Sequence, residues 1–350
     1  MNSVLSPSAL QTAPAGTPAG ALRVVALGGG TGLSALLRGL RSYVAVPGSA
    51  STDIPVISDL AAVVTVTDDG GSSGRLREEF NMLPPGDLRN CMVALSAEED
   101  LLSRLFSHRF RSGRSLKGHT LGNLFVAALM ETTGDFALAI QLASKILATR
   151  GRIYPATTAN TTLVARMDDG SEVRGETNIT ASKRRIVELM LDPPSPAPLP
   201  EALDAMERAD LITVGPGSLY TSLITNLLVD GIADALKRAR GLRVYICNLM
   251  TQPNESVGLS AADHIEKIYK HTGAPVFDCA LINTAPFSAD TLARYAAQSA
   301  TPIEADLERI EALGVRVIAG NFFQESPLVR HHGPRVTEAL LALGRSHRRS

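Results

Sequence analysis

The sequence contains no tryptophan, only three cysteines and no apolar run of membrane-spanning length. Cys91, Cys247 and Cys279 lie far apart and form no Cys-x-x-Cys pair, which excludes a disulfide scaffold and a cysteine-rich zinc site. They read as small buried hydrophobes in a reducing compartment, so the expected address is the cytoplasm. The longest apolar runs, such as Leu124 to Met130, are far shorter than the roughly 20 residues of a membrane span. Charge of one sign is not in excess either. Against 34 Lys and Arg stand 35 Asp and Glu, a net of −1, so no global field draws the chain to nucleic acid or anionic lipid. Catalytic signatures are also missing. No Gly-x-Ser-x-Gly elbow occurs, which leaves Ser72, Ser73 and Ser218 without an evident base. There is no His-Glu-x-x-His, and His331 and His332 are adjacent, a poor arrangement for sharing a metal.

What is present is a globular chain of 350 residues, 45% hydrophobic and 20% charged, long enough for one large α/β unit or two ordinary domains. Residues before Ala21 are rich in Ser, Thr, Ala, Pro and Gly, with no basic start or long apolar stretch; they read as a flexible tail (1–21), not a secretion signal. Leu22 to Leu27 reads as a buried strand, followed by a glycine turn and a helix from Leu33 to Leu40. A second strand spans Val63 to Thr67. A helical stretch follows from Pro84 to Met130, with Asp87 and Thr120 as N-caps, and Phe136 to Ala148 forms another helix. Thr161 to Met167 and Ser171 to Arg174 flank an Asp-Gly turn and predict a β-hairpin, with Lys183 to Leu191 as a further strand. Pro193 to Pro200 is an extended connector.

The opening theme then returns. A strand at Asp210 to Val214 is followed by a glycine loop at Gly215 to Ser218 and a helix at Leu219 to Val229. Strands at Arg243 to Cys247, Cys279 to Ile282 and Val315 to Ala319 alternate with helices at Ala261 to His271, Ala289 to Ala297 and Glu304 to Leu313. Val336 to Leu343 is a closing helix, and 344–350 reads as a loose basic tail. Strands separated by crossover-length helices predict an α/β, Rossmann-like, doubly wound and mostly parallel sheet, with a small β-hairpin elaboration, in a single domain over 22–343.

In such a sheet ligands bind beyond the carboxyl ends of the strands, where loops enter helices. Gly28, Gly29, Gly30, Thr31 and Gly32 sit at such a place. Glycines admit close approach of a phosphate, and the next helix offers free N–H groups. The spacing is neither Gly-x-Gly-x-x-Gly nor a Walker loop, and a tight turn without ligand is the plainer alternative. A second such loop, with Gly215, Gly217 and Ser218, makes a diphosphate the better reading. Asp68 and Asp69 end a strand beside Gly71, Ser72, Ser73 and Arg75. A carboxylate there can accept from a ribose hydroxyl or hold Mg²⁺ against a diphosphate; an Asx turn before a helix is the blander account. Arg104, His108, Arg109, Arg111, Arg114, Lys117 and His119 concentrate positive charge, but the chain lacks the basic balance and interleaved aromatics of a nucleic-acid binder. His119 opens a helix, where a structural role is the commoner one.

Five motifs in order carry a resemblance over 22–343: Gly28 to Ser34, Thr67 to Arg77, Pro84 to Asn90, Gly118 to Leu124 and Gly215 to Ser222. Together they resemble the bacterial gluconeogenesis factor family (YvcK-like), itself similar to 2-phospho-L-lactate transferase (CofD-like). The resemblance implies a Rossmann-like CofD fold and a cytoplasmic regulator that binds UDP-sugars such as UDP-N-acetylglucosamine and serves cell shape and cell-wall supply during gluconeogenic growth. It implies that the Gly28 loop, Asp68, Asp69 and the Gly215 loop line the nucleotide site, with Asp87, Asn90, His119 and Asn123 in its motifs. Asn248 and Asn283 would lie along the same crevice, and Tyr295 and Arg330 look like nucleotide-sugar contacts. Thr225 departs from the proline that relatives usually carry. The runner-up is a Mg²⁺-dependent transferase of the 2-phospho-L-lactate type. Cell-wall synthesis proteins enter as partners, membrane does not, and self-association stays open.

Overall fold

The computed structural model describes residues 20–45, 56–97, 101–182, 184–325 and 328–349; the expected N-terminal tail falls outside them up to residue 19, as do Lys183 and Ser350. Strand β1 (Leu22–Gly28) leads into α1 (Gly30–Arg41), and β2 (Ile57–Val64) into α2 (Gly71–Phe80) and α3 (Gly86–Leu95). Helices α4 (Leu101–Ser107), α5 (Leu121–Thr133) and α6 (Phe136–Ile146) precede β3 (Arg152–Pro155). Then come β4 (Thr162–Met167), β5 (Glu172–Arg174), α7 (Glu176–Ala181) and β6 (Ile186–Asp192). The second half supplies β7 (Leu211–Val214), β8 (Leu242–Ile246), β9 (Cys279–Asn283) and β10 (Arg316–Gly320), and a short ribbon pairs β11 (Phe323–Gln324) with β12 (Arg330–His331).

Seven strands form one sheet in the order β10-β9-β8-β7-β1-β2-β3, every pair parallel. Its strands are apolar on both faces because helices cover both. Leu22, Val24 and Ala26 of β1 point into one core with α1 and α3, while Val25 and Leu27 point into the other. The chain steps outward from β1 through β2 to β3, then returns to β7 on the other side of β1 and steps outward again. The order therefore reverses between β1 and β7, and the two loops leaving those strands lie side by side, the place where such sheets bind ligands. The expected hairpin is part of a three-stranded antiparallel sheet, β5-β4-β6, and Leu163, Ala165 and Leu189 share a core with Val25 and Ile212.

Several boundaries differ from the sequence reading. The second strand is Ile57–Val64, earlier than Val63 to Thr67. The long helical stretch is three helices, and α2 precedes it in a Gly- and Ser-rich segment of poor helix propensity. Helix α2 forms because Leu76 is buried and Gly74 lies against the Asp69 carbonyl; it stops at Asn81, a left-handed residue with φ 47°. Thr120 does cap α5 by accepting from the Asn123 N–H, but Asp87 is not a cap, since Pro85 occupies that position and Asp87 lies inside α3. Pro200 begins a helix (Pro200–Arg208), where its missing N–H costs nothing. The 344–350 tail expected to be loose continues the closing helix Gly333–Arg349 instead. Gly344 fits against Leu22 and Leu211, and Arg348 donates to the Ala21 carbonyl at 2.6 Å. Among the described residues no helix is long and apolar enough to cross a membrane.

Candidate functional site

The two glycine turns meet at the β1/β7 reversal. A Cβ at Gly32 would stand 2.4 Å from the Pro216 carbonyl oxygen, so only glycine lets the second turn lie so close to the first. Buried Asn226 donates to the Gly28 carbonyl at 2.9 Å and thereby ties the second half to the first loop. Asn248 locks the other turn: its amide donates to the Gly217 carbonyl at 2.8 Å and accepts from the Gly217 N–H at 3.3 Å. Ser218 accepts from Gln252 at 2.9 Å. The helix after Ser218 begins as a π-helix, Leu219–Ile224, and Thr225 donates back to the Tyr220 carbonyl at 2.8 Å.

The amides are not all open to a ligand, contrary to the sequence reading. The Gly30 N–H donates to Asp87 Oδ2 at 2.7 Å. At the second turn, Tyr220 N–H donates to Glu255 Oε2 at 3.3 Å and Thr221 Oγ1 to Glu255 Oε1 at 2.9 Å. Each helix start is thus faced by a carboxylate of the protein, as its dipole favours. Thr31 and Gly32 remain in the first turn of α1, whose N–H groups an α-helix cannot pair internally.

Asp68 lines both neighbouring cavities. One, of about 350 Å³, is bounded by Asp68, Glu176, Thr177, Thr180 and Ala181. The other, of about 200 Å³, brings Asp68, Gly71, Ser72, Ser73, Asp87, Asn90 and Asn123 together, along with Arg89 and Arg109. Asp69 does different work: its Oδ1 accepts from the Thr177 N–H at 2.8 Å and Oγ1 at 2.6 Å, fixing the start of α7. Among the described residues no group of three or more His, Cys, Asp or Glu is placed to hold a metal. The Asp68–Asp69 pair is therefore no ready-made Mg²⁺ cage. Of the pair, Asp68 is the carboxylate that lines the cavities, and its Oδ1 accepts from the Gly70 N–H at 2.9 Å.

Carboxyl groups crowd this place, and their proton affinities register it. Burial chiefly, then Asp68, pushes Asp87 up to about 6, although the Gly30 N–H works against the rise. Burial and then the charges of Asp68, Asp87, Glu255 and Asp69 push Glu176 up to about 9, so it is a neutral donor at pH 7.

His119 has a partner that the motif search did not reveal. Its Nδ1 lies 3.0 Å from Ser72 Oγ, and Asn123 Nδ2 donates to the same oxygen at 3.0 Å; all three residues are buried. Burial, then the Arg75 cation, lowers the His119 pKa, which favours a neutral ring able to accept from the serine. Arg75 itself is exposed and donates to the Lys117 carbonyl.

Other expected contacts sit farther along the sheet end. Asn283 donates to the Ala285 carbonyl at 3.0 Å and accepts from Phe322 N–H at 3.1 Å, so its amide holds a turn. Tyr295 packs with Leu249, Met250, Phe323 and Val329, and its hydroxyl accepts from the Val329 N–H at 2.8 Å. Arg330, next in the chain, is exposed on β12. The sequence reading did not select Arg89, Glu176, Thr177, Thr180 or Glu255. Arg89 stood within a quoted motif, but Glu176 and Glu255 carry no motif signal.

The family model described as 2-phospho-L-lactate transferase CofD matches residues 24–323. The chain belongs to the CofD family. It is 45% identical to the gluconeogenesis factor of Halalkalibacterium halodurans over 319 residues, 91% of this chain and 95% of that protein. It is 43% identical to the gluconeogenesis factor of Bacillus subtilis over 322 residues, 92% and 98% of the two chains. An X-ray structure of protein BH3568 from Bacillus halodurans superposes with a TM-score of 0.86 at 45% identity, covering 92% of this chain and 99% of that one. The CofD match thus spans both glycine turns, both cavities and Tyr295, and ends before Arg330.

Proposed function

We propose that this CofD-family chain is a cytoplasmic regulator that binds a nucleotide diphosphate sugar, with UDP-N-acetylglucosamine as the first candidate, at the β1/β7 reversal. In this reading its occupancy is passed to cell-wall synthesis proteins, in support of cell shape and wall supply during gluconeogenic growth. The observation that carries the binding site is the abutment of Gly32 on Pro216, which brings the two glycine turns side by side. The gluconeogenesis-factor relatives support the regulatory half. Asp68 serves a ribose hydroxyl or Mg²⁺, and Tyr295 and Arg330 serve the base and diphosphate. Titrating UDP-N-acetylglucosamine should raise Tm saturably, because a ligand of the folded state stabilises it. Arg330→Ala should weaken that response without lowering the Tm of the free chain. No Tm change at millimolar ligand would sink the reading.

A second reading, a Mg²⁺-dependent transferase of the 2-phospho-L-lactate type, is favoured by the Ser72–His119 hydrogen bond beside Asp68. It requires turnover of a nucleotide-activated phospholactate with a deazaflavin acceptor that depends on Mg²⁺ and Asp68. No product at high protein concentration rejects it.

A further inference from the structure

We infer that the outward face of the α5–α6 helix hairpin is where a second copy of this chain docks, each of the two helices lying antiparallel on its own counterpart.

These helices are too apolar for a solvated surface. Glu131, Asp135 and Lys145 are the only charged residues between Leu121 and Ile146. One side of each helix is buried, with Val126 and Ala127 on α5 and Ile140 and Ala143 on α6. A surface helix ordinarily turns a polar stripe the other way. Here helical spacing turns Leu121, Leu124 and Ala128 of α5 outward, together with Leu138, Leu142 and Ile146 of α6. Ala128 and Ile146 are exposed, Ile146 at 51%, and the four leucines are half-buried. Neither of the two cores that sandwich the sheet takes in Leu121, Leu138, Leu142 or Ile146. The helices pack side by side, so these side chains form one apolar surface, and such a surface marks a docking face.

Charge decides what docks there. Both acids, Glu131 and Asp135, are exposed at the turn between the helices. Cations occupy the opposite end: Lys145 in the last turn of α6, and Arg114 and Lys117 in the loop that enters α5, all exposed. Among the described residues none of Glu131, Asp135, Lys117 and Lys145 makes an ion pair. The face is therefore self-complementary. A two-fold axis crossing the helices at right angles sets the acidic end of each copy on the basic end of the other. Glu131 then faces Lys117 of the second copy, and Asp135 faces its Lys145. An axis parallel to the helices sets acid on acid instead. An acidic partner or an anionic lipid surface answers the basic end alone and meets Glu131 and Asp135 with like charge. Helix α5 spans about 20 Å, and two helices abreast about as much, so the face lies at the small end of specific interfaces and the dimer dissociates on dilution. Asn123 stands on the buried side of α5, where it donates to Ser72, so the copies touch the backs of the helices that enter the candidate site.

The test is analytical ultracentrifugation of the full chain from low to high micromolar concentration. Its mass should rise reversibly from 37.0 kDa to twice that value. Ile146→Asp, at an exposed position, should keep the chain monomeric throughout, with the Tm of the dilute chain unchanged. Lys117→Glu and Glu131→Lys should each weaken dimerisation at least fivefold, because each turns two attractions of the symmetric interface into repulsions. The double variant should recover the parent affinity to within about twofold, as only the pairing of unlike ends between copies predicts. A single 37.0 kDa species at every concentration overturns the inference. So does an unchanged dimer in Ile146→Asp, or a double variant that dimerises no better than the single ones. Cosedimentation of a monomeric chain with phosphatidylglycerol vesicles, abolished in Ile146→Asp, would give the face to lipid and overturn it as well. The inference does not rest on nucleotide-sugar binding, whose loss would leave the dimer untouched.

Discussion

Replacing Asp87 by asparagine should stabilise the ligand-free chain at neutral pH and leave it unchanged in acid. The carboxyl is held at about 6 instead of its ordinary 3.8, mainly by burial. The folded chain therefore binds its proton more tightly than the unfolded chain. Stability that this group contributes is intact below about pH 4, is lost as pH rises through the folded value near 6, and then levels off. At about 1.4 kcal/mol per pH unit, the rise from 3.8 to about 6 is worth about 3 kcal/mol. An asparagine side chain keeps an oxygen for the Gly30 N–H but carries no charge, so Asp87→Asn avoids the loss. Urea unfolding of both chains at about pH 4, 5, 6 and 7.5 should show a difference near zero at the first and about 3 kcal/mol at the last. A variant less stable than the parent at every pH, or a constant difference across the series, would refute the reasoning.

Further outcomes follow from other contacts. Gly32→Ala should lower stability by about 1–3 kcal/mol, because the added methyl meets the Pro216 backbone, which cannot swing aside, and it should abolish the nucleotide-sugar Tm response. Ser72→Ala removes the partner of His119 Nδ1 and Asn123 Nδ2 and should cost about 1–3 kcal/mol in denaturant unfolding. Glu176→Gln should flatten the pH dependence between about 4.5 and 9, since the parent loses stability across that window as the raised carboxyl resists ionisation. Arg348→Ala should fray the last turn of the closing helix, read as faster amide exchange there with the core unchanged.

The frame was legible because its signals are local and repetitive. Strands β1, β7, β8, β9 and β10 are short apolar runs ended by glycine or asparagine, and a parallel order follows from the helices between them. The Gly215 turn follows β7 for the same reason, whereas in the first turn Gly28 ends β1 and Gly30, Thr31 and Gly32 already belong to α1, earlier than the expected start at Leu33. What stayed hidden depends on contacts distant in sequence. Helix α2 is made by the packing of Leu76 and the Gly74 approach to Asp69, not by propensity. The Ser72–His119 pair joins residues 47 apart, and no spacing rule connects them. Glu255 reaches the π-helix from 34 residues away, and Glu176 enters the cavity only because Asp69 anchors the start of α7. The tail at 344–350 looked loose because its charges were read without Asp210 and the Ala21 carbonyl, which Arg348 meets.

The carboxylates at the helix starts bear on how a diphosphate could enter at all. Free first-turn amides are costly when buried, so Asp87 on Gly30 and Glu255 on Tyr220 satisfy them from within the chain. That solution places negative charge where a second anion has to come. Two unit charges about 4 Å apart repel by about 4 kcal/mol at an effective dielectric of 20. A proton or a cation can offset this. Asp87 and Glu176 already hold their protons more tightly than free carboxyls do, and under the proposed function Asp68 is the carboxylate that would share Mg²⁺ with the ligand. Under the proposed function, then, glycine turns set the shape of the crevice, while the protonation and cation occupancy of three carboxyl groups set how much negative charge it accepts.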